Sequence, residues 1–308
     1  MKPFDAIALF TDFMAVGETL WNLLMIGILS LLIVEILKRL EDDFPNRKNF
    51  RLAHKERPFL KRELSGEVAI AIFNVVITAP LLAFFVFYVT DYVLKPYVGH
   101  HLFSTTIADW PMIVQVIVGL VILDFSLYVR HRFVHHFFWS YHTIHHSTRE
   151  ITWITWLKLH PLDMIVMGLI DVVIMFALGF GGESIAIAQT IKFHFNRFCH
   201  SNVELDYGFP LRYVFCSPNM HRWHHAADDP KAQNKNFCIV FAWIDLLFGT
   251  FYVPKDRLPS VYGVLDENGD HVVSEGFVDM MLYPFRNMFS RVQSHERSES
   301  PEHSDPTQ

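Results

Sequence analysis

Residues 112–129, MIVQVIVGLVILDFSLYV, run for eighteen positions with one charged side chain, Asp124. At about 1.5 Å of rise per residue a helix of this length crosses the hydrocarbon of a bilayer, where a helix satisfies its own backbone polar groups. Residues 20–37 (LWNLLMIGILSLLIVEIL), 68–89 and 164–180 are comparable. The last is followed through GFGGES by another apolar segment, 185–195, so that the two read as a helical hairpin. Hydrophobic residues make up 51% of the 308 positions and charged ones 19%. Because the excess is gathered into these runs, the expected fold is an all-α integral membrane protein with about four transmembrane helices.

The first 21 residues lack the compact apolar core and small-residue cleavage site of a signal peptide, so the first span is expected to be retained. Lys and Arg crowd the connection KRLEDDFPNRKNFRLAHKERPFLKRE, whereas residues 90–110 hold only Lys95. The bias of basic residues toward the cytoplasm puts that first connection inside and the N-terminus outside. Everything from His131 onward then shares the cytoplasmic side, in a bacterial inner membrane or the endoplasmic reticulum according to source. The segments expected are N-terminal spans with their basic loop at 1–111, a catalytic domain at 112–254, a cytoplasmic segment at 255–289 and a disordered tail at 290–308, the last lacking apolar periodicity. A net charge of −6 gives no reason to expect nucleic acid. Cys199, Cys216 and Cys238 are scattered and read as free thiols.

RHRFVHHFFWSYHTIHHS places six histidines in eighteen residues. His131 and His135 stand four apart, while His142, His145 and His146 stand at i, i+3, i+4. The latter pattern recurs in NMHRWHHA as His221, His224 and His225. On helices each set faces one way. Neutral imidazole is a common ligand of iron, zinc and copper, and eight such rings are too many for one ion, so the spacing points to two ions near each other. Isolated histidines such as His54, His100, His101, His271, His295 and His303 have no helical partners and read as interfacial or surface residues. The aromatic residues Phe133, Phe137, Phe138, Trp139, Trp153, Trp156 and Trp223 read as a membrane-interface belt.

HRFVH, HTIHHS and HRWHH resemble the three histidine boxes of the fatty acid hydroxylase superfamily, the integral-membrane group that includes sterol desaturases, methylsterol oxidases and alkylglycerol monooxygenase. KLHPLD resembles its His-Pro-Leu-acid element, with Asp163 where Glu is usual. HSN at His200 resembles its intervening histidine motif. FAWIDLLFGTFY resembles its closing segment, with Ile244 separating Trp243 from Asp245. Coverage is roughly residues 112–254. The resemblance implies a cytosol-facing helical cap holding two iron ions. By spacing alone zinc fits the same imidazoles, and it is expected as a substitute in purified protein. Iron is preferred because a nitrogen-rich site beside lipid suits dioxygen activation, while hydrolytic zinc generally uses the adjacent Glu of H-E-x-x-H, absent here.

The expected metal ligands are His131, His135, His142, His145, His146, His221, His224 and His225, joined by His160 and His200 from the two further elements. No catalytic residue is expected beyond them. Asp124, Asp163, Asn202 and Asp245 are expected to orient the ligand rings, with Glu150, Asp206, Asn219 and Asp228 as further candidates. The activity implied is hydroxylation or desaturation of an unactivated carbon in a sterol, fatty acyl or alkylglycerol lipid. The chain carries no haem-attachment, flavin, nicotinamide or iron–sulfur motif, so electrons must come from a separate reductase, cytochrome b5-like or ferredoxin-like protein. The competing readings are a zinc-dependent membrane lipid hydrolase and a non-catalytic metal-binding membrane protein.

Overall fold

A computed structural model describes residues 51–52, 62–94, 107–274 and 276–287; the apolar run 20–37 and the tail 290–308 lie outside the described residues. The expected second span is one apolar rod. Helix α1 (Arg62–Phe73) passes through a π-helical turn (Asn74–Thr78) into α2 (Ala79–Tyr88) and a second π turn (Val89–Leu94). Pro80 explains the first π turn. It has no N–H to donate, and its ring crowds the carbonyl four residues back. The wider turn just before it takes up the misfit, with Ala79 N–H donating to Asn74 O.

Helix α3 (Met112–Phe137) is the expected third span, prolonged by two turns to carry histidines. After α4 (Trp139–His146) and a short 3₁₀ turn come α5 (Pro161–Ala177) and α6 (Gly182–Cys199), the expected hairpin. Gly179, at φ 83°, ends α5: Gly179 N–H bonds Phe176 O and Phe180 N–H bonds Met175 O, a Schellman closure that needs the left-handed residue glycine supplies. The remaining helices are α7 (Pro218–His224), α8 (Ala242–Leu247) and α9 at 277–287. Strand β1 (Arg51–Leu52) pairs antiparallel with β2 (Val203–Glu204), Arg51 opposite Glu204.

Gly119 of α3 lets α5 and α6 pack closely, since a Cβ there would lie 2.7 Å from Met175 Cε. The contact also holds charge. Asp171 of α5 accepts from Arg130 of α3 and Lys192 of α6, all three buried, so no ion in this apolar setting is left alone. Among the described residues two helices are long and apolar enough to cross a membrane, Gly66–Tyr88 and Met112–Phe137. Ile72, Val76 and Phe84 on the first and Ile117, Phe125 and Val129 on the second are exposed. Such apolar faces are surfaces for lipid rather than water.

The rods run antiparallel, and the histidines gather at one end of both. There Glu67 pairs with Lys158 at 2.8 Å and accepts from Thr148, while Asn74 Nδ2 donates to Leu157 O and Leu159 O at 2.9 Å each. Strand β1 pairs three residues beyond His200, so residues 51–52 of the basic connection lie at this end too. Helix α9 closes the same end, with Met280 and Val273 packed on Ile70 and Ile144. Below α7 the core is Cys199, Cys216, Met220 and Val240, and all three cysteines are free. The aromatic belt is only partial. Phe133, Phe137 and Phe138 are exposed, but Trp223 is wholly buried, edge-on to Tyr252 at 5.5 Å, because it faces inward from a helix whose histidines are also internal.

Candidate metal centre

Four helices deliver the rings. His131 and His135 leave the last two turns of α3. Helix α4 begins directly beyond Phe138 and presents His142, His145 and His146. Helix α7 starts at Ser217, whose side chain caps Met220 N–H with Pro218 in the first turn, and presents His221, His224 and His225. His200 is the C-cap of α6.

The nine rings form two groups, in each of which the ligand nitrogens lie within 4.8 Å of one another: His131, His135, His142, His146 and His224 in one, His145, His200, His221 and His225 in the other. Helix geometry explains the division. Residues at i and i+4 differ by about 40° around the axis and the i+3 residue turns about 60° the other way. Helix α4 therefore sends His142 and His146 to the group of five and His145 to the group of four. Helix α7 does the reverse, sending His221 and His225 to the four and His224 to the five.

Backbone and carboxylate acceptors set the tautomers. His131 Nδ1–H donates to Phe237 O at 2.9 Å, His224 Nδ1–H to Lys235 O at 2.8 Å, His200 Nδ1–H to Asn196 O at 2.8 Å and His142 Nδ1–H to Asp163 Oδ2 at 3.0 Å. A carbonyl has no proton to give, so in the neutral ring the proton is on Nδ1 and Nε2 is bare. At His131 and His142 two bare nitrogens then face each other, their Nε2 atoms 2.9 Å apart, and the bare Nε2 of His200 lies 3.1 Å from His145 Nε2 and 2.8 Å from His221 Nε2. Two lone pairs this close repel unless a cation lies against both. In addition, Nε2 of His135, His146 and His224 is buried without a hydrogen-bond partner. Converging unpaired nitrogen donors are the donor set of a transition-metal site.

Burial also favours the neutral form of several rings. It lowers His200 to about 4, with the Asn196 carbonyl partly opposing, and His224 to about 3, with the Lys235 carbonyl partly opposing. Burial and neighbouring imidazoles push His145, His146, His221 and His225 well below the ordinary histidine value. Of the nine, only His135 is half-buried, against Trp139 at 5.0 Å between ring centres.

His160 is not brought to either group. It caps α5, Nδ1 accepting from Leu162 N–H, and its Nε2 lies 3.3 Å from Met281 O. Pro161 and Asp163 in the first turn complete that helix start. His136 is exposed at the end of α3, and His194 donates to Thr190 O. His54, His100, His101, His295 and His303 lie outside the described residues.

Of the expected ring-orienting residues, Asp163 touches a ring, whereas Asp124, Asp245, Asn202, Asp206 and Asp228 bond to backbone or to another side chain. Asp245 accepts Phe237 N–H and Cys238 N–H. Asp124 accepts Ile239, Val240 and Phe241 N–H. Two carboxylates thus take five consecutive amides and hold the loop whose Phe237 carbonyl orients His131. Asn202 accepts from Arg222 at 3.3 Å, Asp206 from Gly208 N–H and Asp228 from Ser260. The acceptors Phe237, Lys235 and Asn196 act through carbonyls that every residue possesses, so side-chain identity could not reveal them. The one local signal was NKN at 234–236, where Asn234 and Asn236 take φ of 56° and 59° around Lys235.

Residues 116–250 match the family described as fatty acid hydroxylase. The chain is 30% identical over 182 residues to ornithine lipid hydroxylase OlsE of Rhizobium tropici, covering 58% of this chain and 52% of that protein. It is 33% identical over 148 residues to alkylglycerol monooxygenase of Caenorhabditis elegans, covering 47% and 28%. It is 32% identical over 138 residues to very-long-chain aldehyde decarbonylase GL1-1 of Oryza sativa subsp. indica, covering 40% and 21%. The matched region thus spans about half of the first relative and less of the other two. No solved structure matches.

Proposed function

We propose, from the match of residues 116–250 to the fatty acid hydroxylase family and the likeness to a lipid hydroxylase, that the chain belongs to this superfamily and is a membrane oxidoreductase that hydroxylates or desaturates an unactivated carbon of a lipid. The observation that carries this reading is the convergence of nine imidazoles, with unpaired nitrogens turned inward, on two adjoining groups. In this reading His131, His135, His142, His146 and His224 hold one iron ion and His145, His200, His221 and His225 the other, with zinc as a substitute in purified protein. Bound iron supplies the activation of dioxygen, using electrons from a separate donor protein.

The chain's own part is orientation and exclusion. Asp163 and the carbonyls of Phe237, Lys235 and Asn196 keep the Nδ1 protons of their four rings away from the centre. Burial favours the neutral form of His200 and His224 and limits water. Trp139 stands against both His135 and His146, at 5.0 and 5.1 Å. The half-open edge at His135 is where we place approach of the lipid carbon. The names of the three relatives each carry a lipid, and the substrate class proposed is an acyl or alkyl lipid before a sterol.

The wider architecture follows the same reading. The run 20–37 and the α5–α6 hairpin join the two rods to make about four crossings, and the density of Lys and Arg before Arg62 puts the centre on the cytoplasmic side. Residues 112–254 are the catalytic domain, 1–111 bring the substrate membrane, and 255–289 cover the cap. The basic connection is the proposed landing surface for an acidic electron carrier.

The test is to expose cells making the chain, and cells making His146→Ala, to isotopically labelled dioxygen and compare extracted lipids. The expected result is a lipid that gains labelled oxygen, or loses two hydrogens, only with the unaltered chain. Identical lipids in the two cultures, with protein and donor both present, would overturn the proposal.

A further inference from the structure

Helix α8 turns Ala242, Ile244 and Asp245 inward, yet Trp243, Leu246 and Leu247 are exposed, Leu247 at 69%. The turn Leu211–Tyr213 packs against this helix, and the loop before it holds out Phe209, 86% exposed, the most exposed large apolar side chain among the described residues. That loop is braced. Asp206 accepts Gly208 N–H at 3.1 Å and pairs with Arg212 at 3.2 Å, and Arg212 donates to Val253 O at 2.9 Å. A fixed loop presenting phenylalanine outward has no use in water.

The patch is continuous with the lipid face of α3. Phe248, directly after α8, stacks on Tyr128 at 4.9 Å and lies 6.0 Å from Phe125. From Phe125 the exposed apolar stripe of α3 runs through Val129 and Phe133 to Phe137, four residues apart each time and therefore along one side of the helix. Phe133 and Phe137 lie beyond His131 in the chain, so this stripe passes the level of the first metal-site histidine. At the edge of the patch Lys235 Nζ donates to Gly249 O, next to Phe248. Cations beside an apolar face suit lipid phosphates.

We propose that α8 and the loop 208–214 form a membrane contact that does not cross, seating the histidine cap in the headgroup layer of the leaflet from which α3 emerges. The occupant is a phospholipid leaflet. This rests on the reading of α3 as a lipid-facing helix. The centre then lies at lipid depth, and an acyl chain reaches it without leaving the leaflet.

The experiment uses the full chain in vesicles of phosphatidylcholine and phosphatidylglycerol. Single cysteines replace Phe209 or Leu247, with Ile117→Cys as the lipid reference and Asp256→Cys and Glu267→Cys as water references. Each is labelled with a nitroxide, and the unaltered chain, whose three cysteines are buried, gives the background. Collision rates with dissolved oxygen and with a water-soluble nickel chelate are compared. The expected result is that positions 209 and 247 follow Ile117→Cys, with oxygen favoured several-fold, and that 256 and 267 show the reverse. Nickel access at 209 and 247 with oxygen still favoured at 117 overturns the anchor alone. Protection of 209 and 247 from both reagents overturns it in favour of a protein partner. Nickel access at 117 as well overturns the lipid-facing reading and the anchor together.

Discussion

The two histidine groups are built from the same helices but held differently. In the group of five, His131, His142 and His224 each have Nδ1 fixed by an acceptor, and His135 opens beside Trp139. In the group of four every ring is buried, yet only His200 has its Nδ1 fixed; Nδ1 of His145, His221 and His225 finds no partner. The first centre is oriented and half-open, the second closed and held chiefly by packing. A centre that receives substrate needs fixed ligand directions.

The largest effect is expected from the ligands. His146→Ala in the first group and His225→Ala in the second should each reduce turnover below detection while the protein still reaches the membrane, because insertion depends on the apolar rods and not on imidazole. Measurable turnover in one variant alone would show that its group is not needed for chemistry.

Asp163→Asn sharpens the comparison. It keeps the shape but weakens the acceptor for His142, and a change of this kind lowers metal affinity or activity by about 10–100-fold. Metal titration should find that loss in one of two sites. Equal weakening of both sites would mean that the groups act as one.

Acid should separate the metal-free protein from a simple unfolding curve. His200 and His224 are lowered in the folded state, to about 4 and about 3, while the unfolded chain binds protons near the ordinary value of about 6.5. Their contribution to stability is therefore complete above about pH 6.5 and lost as pH falls through the folded values. The thermal midpoint of metal-free protein should be level above that pH and fall steadily below it. His200→Gln and His224→Gln should each flatten the fall; no change in slope would show that these rings are not buried neutral.

The smallest effect is expected at His160, as a cap outside both groups. His160→Ala should cost about 1 kcal/mol of stability, read as a fall of a few degrees in thermal midpoint, with metal content unchanged. Loss of a metal from this variant would return His160 to the ligand set.

The apolar rods and the hairpin were legible because length and hydropathy are local properties. The widened turn before Pro80 in the first rod was not foreseen, and Asn74 in that turn donates to the carbonyls of Leu157 and Leu159, far along the chain. The triplets were legible as histidines that would converge. Their division between two groups was not, because the i+3 ring faces a second centre only when another helix packs on that side. His200 drew notice through its resemblance to a motif, since a single histidine has no periodicity. Asp124 and Asp245 stood out as acids among apolar residues, but a carboxylate does not declare what it accepts, and here five amides outcompeted the imidazoles.

The central claim is that two metal centres are separately assembled from five and four imidazoles. Its most direct test is metal content per chain, by elemental analysis of protein loaded with ferrous iron without oxygen and then desalted, for the unaltered chain, a variant lacking His131 and His135, and a variant lacking His221 and His225. The account predicts two irons per chain in the first and close to one in each of the others. One iron in the unaltered chain, or loss of both in either variant while the helical circular dichroism is unchanged, would contradict it.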